Sequence, residues 1–319
     1  MKKAVLMLLA VVLTMTLSAC KNDVDDENIV YVTVYPMQYL VEQIGGDTVT
    51  VKRVPGSTVH SESIDWSAKE IIDMVNSDLL FYIGAGVDTY IPNNEESTFN
   101  DGTVELINVS QYVTYNKVCF SREHSHLYPG DNPILDCDEN SLADDPHFWL
   151  DPVRMLHAAE LVKDKLIVAY PENSELYENN FTVMSAALEK LDDDFQDMAD
   201  VATKPIITTV MLFTYWHDRY GLEIISILTS PHTTESIPSD IISFVNEAQA
   251  SSIDYILFEK NTNSPAGEQV LDALQALDSE ASALYLHGLG NLTNEEIENG
   301  STYISIMYDN LEVLNEATK

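Results

Sequence analysis

Three histidines and two glutamates stand where a folded chain can do metal chemistry. His60 follows Pro55-Gly56-Ser57-Thr58-Val59, just after a β-branched run at 48–54, and Glu62 lies two residues further on. His147 sits in Asp145-Pro146-His147-Phe148-Trp149-Leu150-Asp151-Pro152, immediately before a helix start. His287 follows directly on the run 282–286 (SALYL), and Glu259 follows directly on 254–258 (DYILF). Neutral imidazole offers a nitrogen lone pair and carboxylate offers oxygen, so these side chains together suit a borderline-soft dication such as zinc. Three histidines with an open fourth position also describe a metallohydrolase. That reaction needs a general base beside the bound water, and the sequence has no HExxH helix to supply one. The expectation is therefore binding and no enzymatic activity. Zinc-dependent turnover of esters or peptides would reverse it.

The elements that must bring these residues together alternate. Strand-like runs at 29–35 (IVYVTVY), 48–54, 78–83 and 104–109 are separated by helical patterns at 37–44 and 67–76. Pro36 is expected to end the first strand. The second half repeats the alternation, with strands at 205–210, 222–228, 254–258 and 282–286. Helices are expected at 212–220, 239–250, 265–277 and 302–316. Between the halves runs a stripe of Tyr177, Phe181, Met184, Leu188, Leu191, Phe195 and Met198, spaced alternately four and three, which marks one long helix. The fold class is α/β: two β/α lobes with mainly parallel sheets, joined by a long backbone helix. Ligands of open α/β sheets bind beyond the carboxyl ends of the strands, so the site belongs in the cleft between the lobes.

The charge balance excludes some partners. Fifty-two acidic residues face sixteen basic ones, for a formal charge of −36. Nucleic acid binding needs clustered Lys and Arg and is not expected. Lys2 and Lys3 precede an apolar run at 4–13 and the ending Leu17-Ser18-Ala19-Cys20. The run is too short to span a bilayer and reads as an export signal, with Cys20 as the lipidated first residue of the mature chain. The expected divisions are a lipoprotein signal peptide at 1–20, a tether at 21–28, an N-terminal lobe at 29–170, a linking helix at 171–202 and a C-terminal lobe at 203–319.

Residues 111–145 break the pattern. They carry Pro129, Gly130, Pro133 and both remaining cysteines, and read as a long surface loop. Cys119 and Cys137 are expected to form a disulfide, as an even cysteine count outside the cytoplasm suggests. Two free thiols, or a zinc site shared with His124 and His126, are the alternatives.

At these residues the chain resembles the metal-binding lipoproteins of zinc and manganese ABC transporters, the ZnuA, PsaA and TroA-like cluster. The resemblance runs over about 31–314. It rests on Tyr35-Pro36, Gln43-Ile44-Gly45-Gly46-Asp47, Ile83-Gly84-Ala85-Gly86, the segment 145–152, Arg219-Tyr220-Gly221-Leu222, Phe258-Glu259 and Tyr303-Ile304-Ser305-Ile306-Met307. It implies two lobes on a rigid helix, a metal between them, small lobe motion on release, and an ABC permease as partner. It also implies a lipid-anchored monomer on the bacterial surface or the periplasmic side of the membrane. Of the family's four ligand positions, His60 and His147 match the first two and His287 the fourth. The third falls on Val210, followed by Met211, and the family's histidine-rich loop is reduced to Glu123-His124-Ser125-His126. Water, Glu62 or Glu259 would then fill the shell. Such a set suits Zn2+ better than Mn2+, which prefers oxygen. The alternative is a surface adhesion lipoprotein that keeps the scaffold with weakened or lost metal binding.

Overall fold

The computed structural model describes residues 28–57, 63–100, 102–119, 126–127, 142–228, 238–277 and 280–319. The chain enters as β1 (Ile29–Val32), whose apolar run is buried on both faces as a central parallel strand requires. α1 (Tyr35–Gly45) follows directly, with Pro36 inside its first turn. Proline here starts the helix, where its missing N–H costs nothing, rather than ending the strand. Gly46, at φ +55°, closes the helix by donating its N–H to the Glu42 carbonyl. β2 (Thr50–Arg53) leads to α2 (Ala68–Val75), whose entry is fixed by Ser67 and Glu70 capping each other. β3 (Leu79–Tyr82) and β4 (Glu105–Asn108) complete a parallel sheet of order β2-β1-β3-β4.

The stretch expected as a loop contains structure. β5 (Lys117–Cys119) pairs antiparallel with β7 (Leu142–Asp144). Between them β6 (His126–Leu127) pairs with a strand of the second half, His126 opposite Ile225 and Leu127 opposite Ile224. Strands of two or three residues carry no readable periodicity, so pairing partners rather than local pattern decide them.

α3 (Pro152–Ala169) begins on Asp151, which accepts hydrogen bonds from the Val153 and Arg154 amides as the helix N-cap. α4 (Ser174–Ala199) is the linking helix, 26 residues and about 39 Å at 1.5 Å per residue. It buries the expected stripe, except that Phe181 is half-buried with the Lys163 ammonium 4.9 Å from its ring centre. The second half runs β8 (Ile206–Val210), α5 (Thr214–Tyr220), β9 (Ile224–Leu228), α6 (Pro238–Ala250), β10 (Tyr255–Glu259), α7 (Pro265–Gln275), β11 (Ser282–Leu286), α8 (Asn294–Glu298) and α9 (Tyr303–Ala317). Its sheet has the order β11-β10-β8-β9-β6, parallel apart from β6.

α4 packs against α1 and α3 on one side and α5 and α9 on the other. One core therefore runs from Val30 and Leu40 through Leu188 and Phe195 to Trp216 and Leu314. Smaller cores lie on the outer face of each sheet, round Tyr90 and Phe99 in the first and round Phe244 and Val270 in the second. A long helix buried by both halves resists the hinge bending that two flexible crossovers would allow. Among the described residues no helix is long and apolar enough to cross a membrane.

Candidate metal centre

His147 is held by the residue two before it. Asp145 Oδ1 accepts the His147 main-chain N–H at 3.0 Å and pairs with ring Nδ1 at 2.7 Å. The other carboxylate oxygen accepts from the Thr214 hydroxyl, and the Asp145 carbonyl accepts from Tyr215 at 2.6 Å. Both oxygens of a carboxylate 2% exposed are thus used. With the proton on Nδ1, the imidazole lone pair lies on Nε2, which is the arrangement that orients a metal-binding histidine.

The segment around His147 is stapled to the second half. Trp149 Nε1 donates to the Gly288 carbonyl at 2.8 Å, Tyr303 donates to the Trp149 carbonyl at 2.6 Å, and Trp216 Nε1 donates to the Leu150 carbonyl at 2.9 Å. Asp145→Asn keeps the shape but weakens control of the tautomer. Zinc titration is expected to show affinity falling by about ten- to a hundredfold, as for other residues that orient metal ligands; unchanged affinity would dissociate Asp145 from the site.

Glu259 closes β10 and faces the same region. Burial raises its carboxyl above the usual range, and the field of His147 opposes that rise. Its carboxylate lies beside Gly288: a Cβ built there would sit 2.7 Å from Glu259 Oε1 and 2.7 Å from Leu212 Cδ2. Glycine is what lets this backbone approach. Val210 and Met211, at the carboxyl end of β8, are buried and apolar, at 9% and 4% exposure.

His287 is held by its own neighbours. Its Nδ1 accepts the Leu289 N–H at 2.8 Å, so its proton belongs on Nε2, which faces Glu296 Oε1 at 3.3 Å. Asn310 accepts the His287 N–H and donates to its carbonyl, fixing the residue from behind. Burial alone would raise the Glu296 carboxyl, but Thr293, Lys260 and Asn261 outweigh it and hold the group down to about 2. His287 Nε2 is buried and makes no hydrogen bond, its 3.3 Å contact with Glu296 being electrostatic. The structure brings Glu259 to His147, and His287 is followed by Gly288, which lies against Glu259 and accepts from Trp149. Among the described residues no group of three His, Cys, Asp or Glu side chains forms a metal cage.

Burial holds the His287 pKa below the usual value near 6.5, against the raising pull of Glu296. The unfolded chain takes up this proton before the folded protein does. The contribution to stability is complete above about pH 6.5 and is lost as pH falls towards the lowered folded value. Thermal midpoints followed downward from pH 7.5 are expected to drop through this window, and to drop less in His287→Gln. Identical slopes would contradict the assignment.

His60, Glu62, Cys20 and Cys137 lie outside the described residues, as do residues 1–20, most of the tether and His124. Cys119 is buried and disulfide-bonded. Asp145, Thr214 and Glu296 matter to the site and were not singled out from the sequence. Asp145 was within reach, since an aspartate two residues before a candidate ligand is a common orienting partner. The Thr214 and Glu296 contacts depend on tertiary placement.

A two-sheet α/β molecule on one long helix, with its buried histidine at the junction, is a known class. The chain belongs to the ZnuA family, described as "Zinc-uptake complex component A periplasmic", whose model matches residues 30–317. It is 27% identical to the high-affinity zinc uptake system protein ZnuA of Bacillus subtilis, over 94% of this chain and 91% of that protein. It is 26% identical to the zinc-binding lipoprotein AdcA of Streptococcus pneumoniae, over 99% of this chain, but spans only 61% of AdcA's length. The Zn(II)-bound ZnuA-like domain of AdcA superposes with a TM-score of 0.69 at 25% identity, over 92% of this chain and 99% of that domain. The metal-dependent lipoprotein YcdH of B. subtilis gives 0.73 at 25%, over the same shares. The laminin-binding protein Lmb of Streptococcus agalactiae, at 20% identity and a TM-score of 0.73 over 92% and 100%, shares the fold.

Proposed function

We propose that this protein captures a divalent transition metal, zinc in preference to manganese, as cargo, and delivers it to an ABC permease. It does so as a monomer outside the cytoplasm, held to the membrane by a lipid on Cys20. The observation that carries this reading is the His147 ring, fixed by a fully used buried carboxylate and facing Glu259, in a chain of the ZnuA family. The ligands in this reading are His147 Nε2 and Glu259, with His60 and Glu62 supplying the remaining donors. His287 is the third imidazole of the set, and its Nε2 exchanges its contact with Glu296 for the metal. The names of AdcA and of B. subtilis ZnuA support zinc as the ion. Protons compete with the metal for imidazole nitrogen, so affinity falls between pH 8 and pH 5. The reading includes no catalysis.

Isothermal titration with zinc tests it. The wild type is expected to bind one ion per chain. Val210→His, which restores a nitrogen at the family's third ligand position, is expected to tighten binding tenfold or more. No heat with zinc, manganese, nickel or cobalt would reject the reading.

Apolar Val210 and Met211, together with the His287–Glu296 contact, favour a second reading. The scaffold then serves as a surface adhesion or interaction lipoprotein with weakened metal binding. The two part on thermal stability. A cargo at a hundred times its Kd adds about 2.7 kcal/mol to the folded state, whereas a protein that has lost its ion melts at the same temperature with and without zinc.

A further inference from the structure

A cavity of about 550 Å3 opens between α1, the turn after β2 and the segment 291–302, and Arg53 stands in its wall. Arg53 Nη2 donates to the Thr33 carbonyl at 2.8 Å and to Asn291 Oδ1 at 2.8 Å, with Ser57 Oγ at 3.5 Å. Its Nε is enclosed and makes no hydrogen bond. Among the described residues no carboxylate pairs with it, in a chain holding 52 acidic side chains. The other two described arginines are each ion-paired, Arg154 with Asp151 and Asp218, and Arg219 with Asp192. Burial pushes the Arg53 guanidinium down to about 10, as expected of a cation removed from water without a counter-charge.

The rest of the wall says what would supply that counter-charge. Arg53 is the only Lys or Arg lining the cavity among the described residues, and Glu42 also lines it. A phosphate dianion would bring a second negative charge with no second cation to meet it. A monocarboxylate matches the guanidinium charge for charge. Tyr35, Tyr39 and Leu292 offer apolar surface, while Ser301 and Asn291 offer polar contacts.

We propose that this cavity binds a small organic carboxylate, with the carboxylate on Arg53 and the organic body against Tyr35, Tyr39 and Leu292. Asn291 holds the guanidinium from across the chain, so the ligand would sit where the end of β2 meets the segment that follows His287. Charge neutralisation and the apolar wall act together, and neither alone distinguishes this cavity from ordinary surface.

Ligand-observed NMR on chelator-treated, metal-free protein tests the proposal without reference to zinc. Benzoate is expected to saturate a single site, with benzamide and inorganic phosphate each at least tenfold weaker. Arg53→Gln is expected to lose benzoate binding tenfold or more while keeping the wild-type circular dichroism. Ser301→Trp, which fills the cavity and leaves Arg53 in place, is expected to lose it too, and decides the matter if Arg53→Gln does not fold. Absence of benzoate saturation, equal binding of benzamide, tighter binding of phosphate, or unchanged binding in a folded variant would each overturn the proposal.

Discussion

His147→Ala is expected to abolish zinc binding at micromolar protein concentration while leaving the fold in place. Alanine removes the nitrogen donor whose tautomer Asp145 sets, and among the described residues no group of three potential ligands stands ready to replace it. The variant should lose the titration heat and the thermal shift on adding zinc together. Its apo melting point should move little in comparison, because the Asp145 contacts to Thr214 and Tyr215 survive. Titration by calorimetry with a paired melting curve checks this. Retained stoichiometric binding would move the site away from His147.

The largest stability effect is expected at Trp149, two residues on. Its side chain is fully buried, stands edge-on to the His147 ring at 5.3 Å and to Phe148 at 5.7 Å, and donates to the Gly288 carbonyl. Trp149→Ala leaves a large cavity, which costs about 3–5 kcal/mol. It also leaves the Gly288 carbonyl without its donor, for about 1–3 kcal/mol more where no water enters. Urea unfolding of apo protein measures the sum. Trp149→Phe, which fills most of the volume and lacks the N–H, separates the two parts. A loss below about 1 kcal/mol in Trp149→Ala would mean that this junction does not hold the halves together.

Much of the architecture was legible because its signals are local. The apolar runs of β3 and β8, the four-three stripe of α4 and the Asp151-Pro152 helix start each appear where residue pattern placed them. Pro36 was misread because one residue type punctuates both strand ends and helix starts, and only the following turn distinguishes them. β6 was invisible because its two residues gain their structure from Ile224 and Ile225, nearly a hundred positions away. In the candidate site, histidines at strand ends were legible and their directions were not. Asp145 turns His147 into a presented lone pair, whereas His287 Nδ1 takes the Leu289 N–H and its Nε2 lies 3.3 Å from Glu296. Arg53 escaped notice for a related reason: composition counts charges, and only packing reveals which charge lacks a partner.

Zinc is expected to bind at His147. Crystals of zinc-loaded protein, measured on both sides of the zinc absorption edge, test it most directly. One anomalous peak is expected about 2.0–2.1 Å from His147 Nε2, the usual zinc–imidazole distance, with Glu259 among its neighbours. A peak elsewhere in the molecule, or none at saturating zinc, would contradict it.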